Sequence, residues 1–268
     1  MKYMTFNSSC SYAGIANMLE QYGFDTEDYQ IALEMKLPYL FVYEEGVYLA
    51  GPSLQSARWF NLFLKPRGLE LTEKAVPREQ LCTYLEGQKC AMLGIHVSEN
   101  SKHAVIYTGT DEDRYCFINN RHQQSPEQEA FVFNETELLE RLDETVVVGT
   151  LSLCDAEVYD FRPLIRSSLE IVDKLWREIQ TVCSQDKMPK ELMRLLNPLF
   201  RPFLVDGISM LKLLGEEILC AEFTDIQRQF LGALRSGKAS VRLSEELPME
   251  RFADAVEQYK ELIRREEF

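Results

Sequence analysis

A change of hydrophobic period near residue 160 constrains this chain more than any other feature. Before it, the stretches Ala91–Val97, His103–Thr108, Tyr115–Ile118, Ala130–Phe133 and Thr145–Leu153 are short and rich in Val, Ile and Phe. Polar turns such as Thr110-Asp111-Glu112-Asp113 separate them, which predicts the strands of an antiparallel sheet. From about Phe161 onward apolar residues recur at threes and fours instead. Ile165, Leu169, Val172, Leu175, Trp176, Ile179 and Cys183 form one stripe, and Leu204, Ile208, Leu211, Leu214 and Ile218 a second. Phe223, Ile226, Phe230 and Leu234 form a third, and Phe252, Val256, Tyr259, Leu262 and Ile263 a last. Each stripe predicts an amphipathic helix. With Arg162-Pro163 as the junction, the chain divides into an α+β domain over residues 1–158 and an all-α region over residues 159–268.

Helices should precede the sheet. One runs from Cys10 to about Tyr22 and stops at Gly23; a second follows Asp25-Thr26-Glu27-Asp28, with Thr26 as its cap. Residues 37–52 are rich in aromatics, Gly and Pro and read as irregular or short extended structure. A helix near Leu54–Leu64 carries Trp59, Phe60 and Phe63 and stops at Pro66-Arg67-Gly68, and Pro77 opens another short helix.

Charge excludes some partners. A formal net charge of −14 argues against nucleic acid or an anionic membrane surface, which need clustered Lys and Arg. The start, Met1-Lys2-Tyr3-Met4-Thr5-Phe6, lacks the apolar run of a signal peptide, and the expectation is a cytoplasmic protein. No segment approaches the roughly twenty apolar residues of a membrane span. The seven cysteines form no C-x-x-C pair, which suggests reduced thiols. His96, His103 and His122 do not fall into ligand spacing with cysteines, so neither a metal nor a cofactor is expected.

Six of those cysteines, Cys82, Cys90, Cys116, Cys154, Cys183 and Cys220, sit in or beside apolar runs and read as small buried hydrophobes. Cys10 differs. It follows the polar tripeptide Asn7-Ser8-Ser9 at the break into a helix, where unpaired backbone N–H groups and the helix dipole favour a thiolate. A cysteine nucleophile needs a base, a group that orients the base, and donors for the oxyanion. His103, at the head of one predicted strand, is the candidate base, and Asn119, at the end of the next, is the candidate orienting group. The Cys10 backbone N–H offers one oxyanion donor and the Asn7 amide a second, though Asn7 reads equally as a helix cap. His96 competes with His103, and His122 reads as solvated. Trp59, Phe60, Tyr39 and Tyr43 are either core or the lining of an acyl pocket. The helical stripes read as packing faces, with a lid, a carrier-protein docking face or a homodimer interface as functional alternatives.

In these residues the chain resembles the papain-like cysteine peptidases that process bacteriocin leaders, and more closely the N-terminal domain of the butirosin biosynthesis protein H family. The resemblance covers roughly residues 5–155. It rests on the Cys10, His103, Asn119 order, on Gln21-Tyr22-Gly23-Phe24, on the aromatic and Gly-rich segment from Phe41 to Gly51, and on Asn61-Leu62-Phe63 running to Gly68. It implies a papain-like fold and a Cys10 thioester, with the acyl group taken from a small molecule or a carrier protein and passed to an amine. Peptide or amide hydrolysis, or a catalytically silent binding module, are the alternatives. Two departures stand out. Met4 occupies the place of the peptidases' Gln, six positions before the nucleophile, and Asn119-Asn120 replaces their Asp-Pro.

Overall fold

The computed structural model describes residues 1–98 and 101–267. In chain order the elements begin with α1 (Cys10–Glu20), α2 (Asp28–Glu34), β1 (Phe41–Glu44), β2 (Val47–Ala50), α3 (Ala57–Leu64), β3 (Leu69–Pro77) and α4 (Leu81–Glu86). There follow β4 (Ala91–Ser98), β5 (Ser101–Asp111), β6 (Arg114–Asn119), β7 (Ala130–Phe133), α5 (Glu135–Leu139) and β8 (Thr145–Leu153). Then come α6 (Arg162–Cys183), β9 (Asp186–Lys187), α7 (Pro189–Leu195), α8 (Ile208–Leu214), α9 (Glu217–Leu234), β10 (Val241–Arg242), α10 (Leu243–Glu246) and α11 (Met249–Glu267). The class is α+β. No described helix is long and apolar enough to cross a membrane.

Two compact units result, Met1–Met35 with Gln55–Tyr159, and Lys36–Leu54 with Asp160–Phe268. The sequence-based division at 158 therefore differs at residues 36–54, which group with the helices. Aromatic packing explains the difference. Phe41 of β1 lies 5.5 Å from Phe203 and 5.3 Å from Tyr259, centroid to centroid, and the Phe41 amide donates to the Ser168 hydroxyl at 2.9 Å. The segment read as irregular or short extended structure is a hairpin of two short strands. Glu45 and Gly46 turn it with positive φ values of 50° and 84°, as a two-residue loop between twisted strands requires. In the same unit, Phe203 stacks on Phe223 at 5.7 Å, and Phe223 meets Phe252 edge-on at 6.0 Å. The second predicted stripe does not run through to Ile218. The chain turns at Gly215 (φ 76°), and Ile218 lies 86% exposed at the start of α9.

The first unit is built on a six-stranded antiparallel sheet of order β3-β8-β4-β5-β6-β7. Strand β3 was not legible in the sequence. Its run Leu69-Glu70-Leu71-Thr72-Glu73-Lys74 carries only two apolar residues, and nine residue pairs with β8 hold it. Alternation divides the side chains of β5 between two faces. Val105 and Tyr107 join Leu93, Ile95, Phe117 and Phe133 in a core closed by Leu81, Cys82 and Leu85 of α4 and Leu138 of α5. Ile106, fully buried, faces the other way, under α1.

Helix α1 lies close to the sheet because residue 14 is glycine. A Cβ built there would come within 2.8 Å of Met92 Sδ, 2.8 Å of Asn120 Nδ2 and 3.2 Å of Ile106 Cδ1. We expect Gly14→Ala to destabilise the fold by about 1–3 kcal/mol through overpacking, despite alanine's better helix propensity. Urea unfolding followed by far-ultraviolet circular dichroism checks the sign.

Candidate active site

Helix α1 runs in the same direction as β5. Gly14 sits over Ile106, and the C-terminal carbonyl of Gln21 accepts a hydrogen bond from Lys89, just ahead of β4, whose Ala91 pairs with Tyr107. Cys10 lies roughly 6 Å along the helix axis from Gly14, in the opposite direction. That direction is toward the end of β5 that carries His103. His103 pairs with Ile95 across to β4, and Val105 pairs with Asn119 across to β6. His103 and Asn119 therefore stand diagonally on one sheet face, on neighbouring strands. That face is the one Ile95 and Val105 share, whereas α1 lies over Ile106 on the other. A relay with the Cys10 thiol thus has to run round the end of β5 and not across the middle of the sheet.

Both side chains hold an unsatisfied buried atom. Among the described residues His103 Nδ1 and Asn119 Oδ1 have no hydrogen-bond partner, so neither the Cys10 thiol nor the Asn119 amide engages that ring nitrogen. An unmade hydrogen bond at a buried polar atom costs on the order of 1–3 kcal/mol, and such atoms concentrate where a site is built for something else. The other ring nitrogen, Nε2, lies 3.7 Å from Glu127 Oε1, whose place in a polar loop carried no sign of this role. Asn119 Nδ2 donates to the Gln128 carbonyl at 2.8 Å.

Cys10 is half-buried and reduced, as the first residue of α1. The loop before it is held from several sides. Ser8 takes a left-handed conformation (φ 65°), and the buried Ser9 hydroxyl donates to the Phe6 carbonyl at 2.7 Å in place of capping the helix. Upstream, Asp28 of α2 accepts from the Thr5 amide at 2.8 Å and the Thr5 hydroxyl at 2.6 Å. Burial pushes the Asp28 carboxyl up from its ordinary value, and the Thr5 hydrogen bonds oppose that shift. The cap of α2 is Glu27, boxed with Gln30, where Thr26 was expected.

The remaining sequence candidates separate clearly. Asn7 is exposed, and Ser9 holds the N-cap position, so the capping alternative for Asn7 is not realised. His96 alternates onto the face opposite His103 and bonds Asp143 at 2.8 Å. His122 is not solvated as expected; it is half-buried, with Nδ1 2.8 Å from the Met4 carbonyl. Trp59 and Phe60 are buried core, whereas Tyr43 is 42% exposed and packs on Tyr48 at 4.7 Å. Among the described residues no group of three or more His, Cys, Asp or Glu side chains could hold a metal ion.

Asn120 joins α1 to the sheet. Its Nδ2 donates to the Ala104 carbonyl at 3.1 Å, and its Oδ1 accepts from Asn17 Nδ2 at 3.1 Å. Asn17 in turn accepts from the Lys2 amide at 2.7 Å and donates to the Lys2 carbonyl at 3.1 Å.

No family model and no curated protein matches this chain. Among solved structures it is similar to the peptidase domain of Streptococcus ComA, a bifunctional ABC transporter involved in a quorum-sensing pathway. The two share 11% identity with a TM-score of 0.37, over 55% of this chain and 95% of that one.

Three measurements check this geometry. Asn120→Ala should cost about 1–3 kcal/mol in urea unfolding, because it strands the Asn17 amide and the Ala104 carbonyl. Burial pushes the Cys90 thiol up to about 11 and the Cys183 thiol up to about 12. Iodoacetamide at pH 8 should therefore leave both unmodified in the folded protein, as read by peptide mass spectrometry. Hydrogen bonds from His96 and Lys102 hold the Asp143 carboxyl down at about 2. Its stabilising contribution is thus present above the ordinary carboxylate value near 4 and lost as pH falls toward 2. Asp143→Asn should flatten the fall of thermal stability across that window.

Proposed function

We propose that this chain is a cysteine-dependent acyl-transfer enzyme of papain-like type, with Cys10 as nucleophile, His103 as its base and Asn119 as the group that orients the imidazole. The carrying observation is the pair of orphaned buried atoms, His103 Nδ1 and Asn119 Oδ1, on one sheet face at the end of β5 toward which the Cys10 end of α1 points. A ring nitrogen and an amide oxygen left without partners are the two groups that a nucleophile–base–orienter relay would use.

The thiolate adds to an acyl carbon while His103 holds the proton. The tetrahedral oxyanion collapses, the leaving group departs with that proton, and a thioester remains on Cys10. An amine or water then attacks the thioester, giving a proton to His103, and the Cys10 thiolate is released. The Cys10 backbone N–H at the start of α1 is one donor to the oxyanion. Transfer to an amine, as in the butirosin-type acyltransferases, is the preferred second half. Hydrolysis of a peptide or amide uses the same relay with water as acceptor. The acyl donor would be a small molecule or a carrier-protein thioester.

p-Nitrophenyl acetate tests the first half-reaction. Wild-type protein should release p-nitrophenolate in a burst with acetyl recovered on Cys10. Cys10→Ala should abolish the burst, and His103→Ala should slow it on the order of a hundredfold. Acetyl spread over Cys116 and Cys154 as fast as over Cys10 would overturn the assignment. Adding an amine such as hydroxylamine or butylamine to the acetyl-enzyme then separates transfer from hydrolysis by its products. A protein that forms no acyl-enzyme is the silent binding module.

A further inference from the structure

The amide of Gln55 brackets the proposed nucleophile. Its Nε2 donates to the Ser8 carbonyl at 3.2 Å, and its Oε1 accepts from the Ser11 hydroxyl at 3.1 Å. Ser8 is two residues before Cys10 and Ser11 one residue after, so one planar amide ties both flanks of the cysteine to the turn ahead of α3. Gln55 is itself half-buried, which shields these bonds from competing water.

The staple has something to hold. Ser8 sits at φ 65°, a left-handed conformation that costs a non-glycine residue roughly 1–2 kcal/mol. The N-cap Ser9 contributes no side-chain cap bond, because its hydroxyl is turned to Phe6. The usual device that would fix the first turn of α1 is therefore absent at the residue that would fix Cys10. Asp28 anchors the loop at Thr5, five residues upstream, and the Ser9 hydroxyl also lies against its carboxylate. Gln55 adds its hold at Ser8 and Ser11, on the two sides of Cys10.

We infer that Gln55 is a positioning residue for Cys10, holding the Ser8–Ser11 segment so that the thiol and the Cys10 backbone N–H keep their aim. The inference rests on Cys10 being the nucleophile proposed above. Gln55 acts through Ser8 and Ser11 and takes no proton or acyl group. Removing it should therefore change the rate at which Cys10 reacts and leave the chemistry of other thiols untouched.

The protein, labelled with iodoacetamide and read cysteine by cysteine by mass spectrometry, tests this. Gln55→Ala should slow alkylation of Cys10 on the order of tenfold while Cys116 and Cys154 keep their wild-type rates. Gln55→Glu keeps an acceptor for Ser11 but sets a carboxylate against the Ser8 carbonyl, and should be slowed comparably. Ser11→Ala removes one arm and should show a smaller effect of the same sign. Continued protection of Cys90 and Cys183 certifies that each variant is folded. A Cys10 rate unchanged in Gln55→Ala and Ser11→Ala overturns the inference. His103→Ala, run alongside, tests the catalytic reading on its own. Slowing by His103→Ala without slowing by Gln55→Ala removes the staple and keeps the base.

Discussion

The seating of α1 on the sheet is the interaction on which the rest of the first unit depends. It is achieved by absence and by polarity together. Gly14 lets the helix approach until a single added methyl would touch Met92, Ile106 and Asn120. At that closeness a buried polar pair is tolerated only if its hydrogen-bonding capacity is used, and the Asn17–Asn120 link satisfies Lys2 and Ala104 as well. Apolar packing supplies the attraction, while the amide pair selects the register. A helix that slid by one turn would strand these hydrogen-bonding groups, so the position of its first residue, Cys10, is determined from its middle.

The same use of polar contacts distinguishes the candidate site from its surroundings. Around it, buried polar groups are paired: Asp28 with Thr5, Ser9 with Phe6, Asn120 with Ala104 and Asn17. His103 Nδ1 and Asn119 Oδ1, with Arg121 Nε nearby in the chain, are exceptions among the described residues, and the first two share a sheet face. Leaving such atoms open departs locally from the rule that favours stability, as functional sites commonly do. The thiols show a parallel contrast. Burial raises Cys90 and Cys183 into an inert range, whereas Cys10 is half-buried at a helix start.

Much of the architecture could be read in the chain because strands and helices differ in period. The strands from Ala91 to Leu153 and the long stripes of α6, α9 and α11 lie where Val, Ile and Phe alternate or recur at threes and fours. The failures also have physical causes. β3 carries too few apolar residues to signal a strand, since pairing with β8 and not burial of both faces holds it. The short strands β1 and β2 fell within a segment read as irregular or short extended structure, but their place with the helices was obscured, because their aromatics serve a core formed with residues far along the chain. The second helical stripe was overextended because Leu214 and Ile218 keep the helical spacing across Gly215, and only the left-handed turn there separates them.

For the site, local sequence determined the residue types: a cysteine where a polar loop breaks into a helix, a histidine heading one strand and an asparagine ending the next. Those features depend on neighbours within a few positions, and local propensity encodes them. Tertiary structure alone decided which asparagine faces α1 and which shares a face with His103, because strand alternation sends Asn119 and Asn120 to opposite sides. It also brought Gln55 and Glu127 to the site, from 45 and 117 residues along the chain. Neither stands in any sequence pattern with Cys10. Contacts of that kind are set by how helix and sheet pack, which no local stretch of residues can express.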